Sequence, residues 1–420
     1  MLLSFSVSNF LSFKDEVQIM FEASDEKGKS DNYKRISKQS ILKSLAIYGP
    51  NASGKSNILI AIKFAVNFIL NCTSSKATSK IKVMPFLLNT ATENNPAYFE
   101  FEFLVKKKIY RYRFVVSSEA VINESLDILN TEDDTYDNLF SRKNSHIKLN
   151  SQFGDDELVD KTRKNVLYLS VLAQWNSKIA MDLVSWFDNF YFARGNGSQP
   201  FMVPPKFTDL LSTQLIDAIK AADFGIESIK NEESVDREED FPEGFPQEIK
   251  KLLLSGEIKR VPKIKTYHSK YDENNKQVGT VEFTLDKEES DGTAKFISLL
   301  PKLLPVLANG GVFIVDELEN NLHPLLTRYI IEIFHNKDIN SRGAQLLLTT
   351  HDTSLLSSNL FRLDQLWVVS KDKYGVSDLY SLSDFEEVEN IKMDELSHYY
   401  LNGKFGGIPL LQKNKFPKIN

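Results

Sequence analysis

A single cysteine, Cys72, is all the thiol chemistry that 420 residues contain. That excludes a disulfide framework and any cysteine-based zinc cluster, and it suits a reducing compartment. No stretch approaches about 18 uncharged apolar residues, the least that a membrane span needs. Internal repeats, low-complexity tracts and sustained apolar heptads are also missing. An excess of positive charge is lacking too. Lys and Arg number 51 against 57 Asp and Glu, a net charge of −6. A protein that coats nucleic acid through bulk charge is therefore excluded, and any such contact must be a local patch. Met1 to Phe10 shows neither a basic leader nor an apolar core of a signal sequence, so a cytoplasmic protein without membrane association is expected.

What is present is a chain with 42% hydrophobic and 26% charged residues, enough to bury a sizeable core and too apolar for intrinsic disorder. Its length suits two or three domains, or one elaborated α/β unit. Leu3, Phe5 and Val7, then Val17, Ile19 and Phe21, alternate as strands do, and Ser24 to Gln39 reads as a polar loop. Residues 98–116 form the clearest hairpin, with Phe99, Phe101 and Phe103 alternating with Glu100 and Glu102, and a turn near Lys106-Lys107. Two acidic stretches, 131–164 and 231–248, read as surface loops or boundaries, and 166–230 between them as mostly helical, with a helix from Leu210 to Ala222. Strands are expected again at 263–268, 278–285, 311–315 and 345–350.

Gly49-Pro50-Asn51-Ala52-Ser53-Gly54-Lys55-Ser56 satisfies G-x-x-x-x-G-K-[ST] at every fixed position. The buried apolar run Ser44 to Tyr48 precedes it, and helical periodicity from Asn57 to Leu70 follows, which is the context the motif requires. The glycines let the backbone curl so that successive N–H groups point at phosphate oxygens. The helix start adds its positive dipole end. Lys55 then reaches the β- and γ-phosphates, and the Ser56 hydroxyl ligates Mg²⁺.

Gly311 to Val315 is an apolar strand that delivers Asp316 and Glu317 at its C-terminal end, the edge where α/β sheets bind ligands. Asp316 is placed to hold the Mg²⁺ shell and Glu317 to polarise an attacking water. Leu346 to Thr350 is a second apolar strand, ending at His351-Asp352. Upstream, Glu288-Glu289-Ser290-Asp291-Gly292-Thr293 opens a helix in which Ser290 is a natural N-cap and Gly292 leaves the first turn open. A plain cap and an anion site are both compatible with that pattern. Pro301 and Pro305 are expected to kink or divide the helix.

This order of motifs resembles the ATP-binding-cassette ATPases. Ser8-Asn9-Phe10-Leu11-Ser12-Phe13-Lys14-Asp15, Asp316-Glu317-Leu318-Glu319-Asn320-Asn321-Leu322-His323-Pro324 and Gly403-Lys404-Phe405-Gly406-Gly407-Ile408-Pro409 are similar to the SMC-like and OLD-like branch. Within it they are nearest the RloA-like stand-alone ATPases of bacterial anti-phage systems. The resemblance implies an α/β P-loop ATPase head, with a mixed sheet core, an antiparallel β subdomain and a helical lobe. Three parts are expected: an N-terminal ATPase lobe at 1–125, a mostly helical insertion at 126–260, and a C-terminal ATPase lobe at 261–420.

The implied catalytic residues are Lys55, Glu317 and His351, the last as the switch histidine that touches the γ-phosphate. Nucleotide contacts fall on Gly49, Asn51, Ala52, Ser53, Gly54, Lys55, Ser56 and Asn57, and metal contacts on Ser56 and Asp316. Ser290 and Gly292 would act on the ATP of a partner chain in a head-to-tail homodimer, with Asn320 to His323 as the D-loop at the interface. The helix start reads Glu-Ser-Asp-Gly-Thr rather than Leu-Ser-Gly-Gly-Gln, so only Ser290 and Gly292 carry over. The stretch Val83 to Phe86, where the family's Q-loop glutamine is sought, contains none.

The expected function is an ATP- and Mg²⁺-dependent ATPase that dimerises on ATP and controls a separate effector, a nuclease, in anti-phage defence. The alternative is an SMC-like repair or chromosome clamp, which needs coiled coils this chain lacks. A transporter's ATPase subunit fits poorly. DNA contact is open at Lys106 to Lys108, whereas Arg111 and Arg113 face Glu102 and Glu100 as cross-strand ion pairs. The chain after Asp352 is expected to be too short for an appended nuclease, and its acids, among them Asp384, Glu386, Glu387, Glu389, Asp394 and Glu395, to form a solvated face.

Overall fold

The computed structural model describes residues 1–24, 28–36, 38–150, 153, 156–194, 213–222, 224–232 and 263–409. The chain forms two compact units. The first comprises Met1–Ala193, Val306–Leu318 and Arg328–Asn420, and the second Arg194–Pro305 with Glu319–Thr327.

The first unit is built on two sheets. One has six strands in the order Phe190–Arg194, Val312–Asp316, Gln345–Thr349, Ser44–Tyr48, Leu366–Lys371 and Ser377–Ser381. The four strands from Val312–Asp316 to Leu366–Lys371 run parallel, and Ser377–Ser381 is antiparallel to its neighbour. Every residue of Ser44–Tyr48 and Gln345–Thr349 is buried, which is why both read as unbroken apolar runs. Because parallel strands share a direction, their carboxyl ends lie on one edge, and the chain leaves Ser44–Tyr48, Val312–Asp316 and Gln345–Thr349 there with the phosphate loop, Glu317 and His351.

The other sheet is antiparallel and has seven strands, in the order His146–Leu149, Thr135–Lys143, Val121–Asn130, Lys108–Val116, Ala97–Val105, Leu2–Ser8 and Val17–Met20. Its hairpin has the expected register: Phe99 lies opposite Phe114, Phe101 opposite Tyr112 and Phe103 opposite Tyr110. The Phe99–Phe114 and Phe5–Phe101 rings lie 5.2 and 4.8 Å apart, contacts worth about 0.5–1.5 kcal/mol each beyond area burial. Lys106 and Lys107 form the two-residue turn with φ of 49° and 65°, the conformation that matches strand twist. Neither is glycine, so the turn costs roughly 1–2 kcal/mol per residue and depends on the long ladder beside it.

Helix Lys55–Asn71 serves both sheets. Phe64 and Phe68 pack on Phe99 and Phe114 at 5.3 and 6.0 Å, while Ile58, Ile62 and Ile69 join the core that holds Val312, Ile314 and Leu347. Together with the turn Cys72–Ser74 it is long and apolar enough to cross a membrane by length and composition alone. In this fold that apolar surface fills the core. Gln345, fully buried, accepts from the Leu2 amide at 2.6 Å and donates to the Leu2 and Leu42 carbonyls at 2.9 and 3.1 Å, fastening one sheet to the other.

Several expectations are corrected. The stretch 131–164 is not only loop: Thr135–Lys143 and His146–Leu149 extend the antiparallel sheet. Within Thr135–Lys143 only Phe140 and Arg142 are buried, so the apolar alternation that marks a strand is absent. Ser24 to Gln39 contains the strand Tyr33–Ile36, paired with Gln39–Leu42. Residues 166–230 include the strands Phe190–Arg194 and Ile226–Glu232 beside the helices Tyr168–Gln174, Lys178–Phe187 and Thr213–Ala221. Helix Asp291–Asn309 runs through Pro301 and Pro305 without dividing. Four residues apart, the two prolines share one face, and each removes a single backbone donor.

The second unit holds a three-stranded antiparallel sheet, Ile226–Glu232, Lys263–Tyr271 and Gln277–Thr284. Phe224 packs against Phe296 of helix Asp291–Asn309 at 5.4 Å. Residues 210–212 of the expected helix and the acidic stretch from 233 to 248 lie outside the described residues.

Buried charge also joins the first unit's sheet to its helices. Glu124 accepts from Tyr112 Oη at 2.8 Å and from the Tyr168 and Leu169 amides at 2.8 and 3.0 Å, with Arg142 at 3.6 Å. Burial pushes the Glu124 carboxyl up, and Arg142, the amides and the hydroxyl pull against it. Glu124→Ala strands both amides and leaves the buried Arg142 charge, held then only by backbone carbonyls such as Asn144 O and Val166 O, without its carboxylate, so denaturant unfolding should show a loss of about 3–5 kcal/mol. A loss under about 1 kcal/mol would show that solvent already reaches the pair.

Candidate functional site

The phosphate loop leaves Tyr48 through Gly49, whose φ of 147° belongs to glycine. A Cβ there would stand 2.4 Å from Val369 O. Gly54, at φ 115°, would put a Cβ 2.4 Å from Ser377 Oγ and 2.7 Å from Ser12 Oγ. Both glycines are therefore demanded by backbone conformation and by crowding. Ala52 is also left-handed, at φ 63°, and the helix begins at Lys55 with no acidic residue in its first turn. Its dipole, worth roughly half a positive charge, is thus unopposed at the loop.

Asn51 and Ala52 are exposed at the loop's tip, while Ser53 is buried with a hydroxyl oxygen that has no hydrogen-bond partner. Lys55 is buried and its Nζ donates to Gly49 O at 2.8 Å and Pro50 O at 3.1 Å, so the ammonium sits inside the curl of the loop. An orphaned hydroxyl, an enclosed ammonium and a free helix N-terminus fit a polyphosphate. The Asn57 side chain donates to Ser12 Oγ at 2.7 Å and so ties the start of the helix to the opening segment. On the same side Ser377 Oγ donates to Ser53 O, and the Ser377 amide donates to Ser12 O at 2.8 Å.

Asp316 stands at the end of its strand, where Oδ1 accepts from Ser56 Oγ at 2.9 Å and from Thr349 Oγ1 at 2.7 Å. Thr349 Oγ1 in turn accepts from the Glu317 amide at 2.8 Å. Glu317 has φ 52°, a left-handed conformation that costs a non-glycine residue about 1–3 kcal/mol. The reversal turns its carboxylate towards His351, with Oε1 3.9 Å from Nε2, and both side chains are about one-third exposed. Sequence reading treated Thr349 only as a strand residue. The signal was a hydroxyl at the last position of an apolar run, one residue short of the turn to His351.

The structure thus brings Lys55, Ser56, Asp316, Glu317 and His351 to one sheet edge. Ser290 and Gly292 belong to the other unit. There Ser290 Oγ accepts from the Thr293 amide at 3.1 Å, the plain N-cap that the pattern allowed. A Cβ on Gly292 would stand 3.0 Å from Asn321 O, and Lys295 Nζ donates to Asn320 O. The helix start and the Asn320-Asn321 turn are therefore packed together. Glu289 Oε1 bonds His268 Nε2 at 2.6 Å, fixing the approach to that helix from the three-stranded sheet.

The basic hairpin is largely neutralised. Arg111 and Arg113 lie 3.8 Å from Glu102 and Glu100, Arg113 also pairs with Asp127, and Lys106 meets Asp182 at 2.6 Å. Among the described residues no group of three or more His, Cys, Asp or Glu side chains could hold a metal ion. Ser56 Oγ and Asp316 Oδ1 are two hard oxygens that leave most of a coordination shell to water and phosphate. That donor set fits Mg²⁺ and does not fit zinc.

Thr349→Val removes the hydroxyl shared by Asp316 and the Glu317 amide while keeping the strand's volume. Its turnover of ATP should fall by about 10-fold or more, with ATP affinity within a few-fold of the parent. Steady-state kinetics and a binding titration check this, and an unchanged kcat would mean that Thr349 does not hold the acids.

The sequence model of a family described as "AAA domain, putative AbiEii toxin, Type IV TA system" matches residues 44–357. No curated protein matches the chain. One solved structure it resembles is cbiO1 from Clostridium perfringens, described as part of the ABC transporter complex cbiONQ. That likeness has 10% identity, 88% coverage of this chain, 96% coverage of that chain and a TM-score of 0.26. The family match runs from the first residue of the phosphate-loop strand past His351 and takes in most of the chain, so the protein belongs to this AAA-domain family and is a P-loop ATPase.

Proposed function

We propose that the protein is an ATP-hydrolysing switch that pairs with a second copy of itself on ATP and controls a separate effector in anti-phage defence. The observation that carries the catalytic part is the Ser56–Asp316–Thr349–Glu317 chain of hydrogen bonds beside the phosphate loop. It sets one carboxylate against the loop's hydroxyl and the next beside His351.

In this reading Lys55 turns from the Gly49 and Pro50 carbonyls to the β- and γ-phosphates. Ser56 and Asp316 would hold Mg²⁺, which supplies charge neutralisation across those phosphate oxygens when bound. Glu317 takes a proton from water as the water oxygen bonds to the γ-phosphorus. The bond from that phosphorus to the bridging oxygen breaks, releasing ADP and phosphate. His351 at the same edge is placed to donate to the γ-phosphate.

The pairing with a second copy rests on Ser290 and Gly292. Their helix start carries the positive end of a dipole, and in the proposed dimer it completes the γ-phosphate site of the partner chain. Asn320 and Asn321, packed on that helix, would reach the partner with it. The head-to-tail arrangement, a nuclease as the separate effector, and the RloA-like and OLD-like branch rest on the resemblance of Ser8 to Asp15, Asp316 to Pro324 and Gly403 to Pro409 to those ATPases. The family's description names a "putative AbiEii toxin, Type IV TA system".

Glu317→Gln should keep ATP binding and slow turnover by about 10²-fold or more; hydrolysis at the parent rate would put the general base elsewhere. Ser290→Arg should leave ATP affinity of the monomer within a few-fold and abolish ATP-driven pairing. Light scattering after size exclusion decides that point, ideally in the Glu317→Gln background where ATP persists. An undiminished dimer would remove Ser290 from the interface.

A further inference from the structure

The glycine-rich segment Gly403 to Pro409 has no part in the chemistry above, yet the fold returns it to the root of the phosphate loop. Tyr400, buried at the end of the short helix Leu396–Leu401, donates from Oη to Gly407 O at 2.7 Å. Its ring meets that of Tyr48 edge-on, with centroids 5.7 Å apart and planes at 65°. Tyr48 is the last residue before Gly49, and its own hydroxyl donates to Asp352 O at 3.2 Å, one residue beyond His351. Burial pushes the Tyr400 hydroxyl up to about 12, with the nearby Gly49 backbone pulling the other way.

The glycines of the segment are required by the same crowding. Gly407 has φ 61°, and a Cβ on it would stand 2.3 Å from Val368 Cγ1 and 3.7 Å from Val369 O. Val369 O is also the atom that a Cβ on Gly49 would strike at 2.4 Å. The phosphate loop and the glycine segment therefore close on the same strand residue, Val369. Gly406 lies under Tyr380, whose hydroxyl donates to Phe405 O at 2.8 Å and holds the far side of the turn.

We propose that Tyr400 and the Gly403–Gly407 turn form a clamp that positions the root of the phosphate loop. Tyr400 is a positioning residue: it touches Gly407 and Tyr48, the residue before Gly49, rather than the reacting atoms. By holding Tyr48 and Gly407 where the chain turns into the loop it keeps the loop in its phosphate-receiving curl, so the clamp governs how tightly ATP is held and leaves the acids at Asp316 and Glu317 untouched. Anything that pulls on the segment would loosen ATP. The inference rests on the nucleotide-binding reading of the loop.

Tyr400→Phe keeps the ring and removes only the hydroxyl. In the full-length protein its KM and Kd for ATP should rise about 3- to 10-fold while kcat at saturating ATP stays within twofold, the loss expected for one hydrogen bond felt in binding alone. Gly407→Ala, which drives a methyl group into Val368 Cγ1, should raise KM in the same way. Gly407→Ala with Val368→Ala should recover part of the affinity, a rescue that general destabilisation would not give. Parent-like ATP affinity in Tyr400→Phe, or a fall in kcat matching any lost folded fraction, would overturn the clamp and leave the ATPase reading standing. Failure of the unaltered protein to bind ATP would overturn both.

Discussion

One carboxylate oxygen, Asp316 Oδ1, holds the functional edge of this protein together. It accepts from Ser56 and from Thr349 at 2.9 and 2.7 Å, and so joins the ends of three parallel strands. The strand carrying the phosphate loop and the strand carrying Asp316 are not neighbours, because Gln345–Thr349 lies between them. At about 4.8 Å per strand the gap is roughly 10 Å, too far for one short side chain. Thr349 bridges it from the middle strand, and Ser56 reaches back from the first turn of the helix. Glu317 inherits its position from the same threonine, through its own amide.

Around that oxygen the edge is organised in two layers. Lys55, Ser56, Asp316, Glu317 and His351 face the place where phosphate chemistry can occur. Behind them Ser12, Asn57, Ser377, Tyr48, Tyr400 and Gly407 meet mainly one another and the loop's backbone. Apart from Tyr48 and Asn57, which flank the loop, the second layer comes from the first dozen residues and from beyond residue 376, so segments far apart in the chain hold an eight-residue loop. Mild overall acidity matters little here, because the loop's attraction for phosphate is local: one enclosed ammonium and one helix dipole.

Much of the first layer was legible because each piece follows a buried strand. Ser44 to Tyr48, Gly311 to Val315 and Leu346 to Thr350 are apolar runs that end abruptly in chemistry-bearing residues, and parallel strands deliver those ends to a common edge. The hairpin of Phe99, Phe101 and Phe103 was legible for the same reason, since its period of two is unbroken. The second layer was not legible. Ser377 with Ser53, Tyr400 with Gly407 and Tyr48, and Thr349 with Asp316 are set by sheet order and by distant segments, which no local pattern encodes. The edge strand Thr135–Lys143 escaped because water takes the place of the apolar face that would have marked it. Asn57 was legible as a helix start but not as a brace, because its partner Ser12 lies in the opening segment.

The central claim is that a polyphosphate and its metal share the edge where Ser56 and Asp316 meet. Mn²⁺ replaces Mg²⁺ in such oxygen sites and reports its neighbours by pulsed electron paramagnetic resonance. With the unaltered protein, ATP and Mn²⁺, the account predicts strong ³¹P couplings from bound phosphate, diminished in Asp316→Asn and Ser56→Ala. A protein-bound Mn²⁺ signal without ³¹P coupling, or one indifferent to both substitutions, would contradict it.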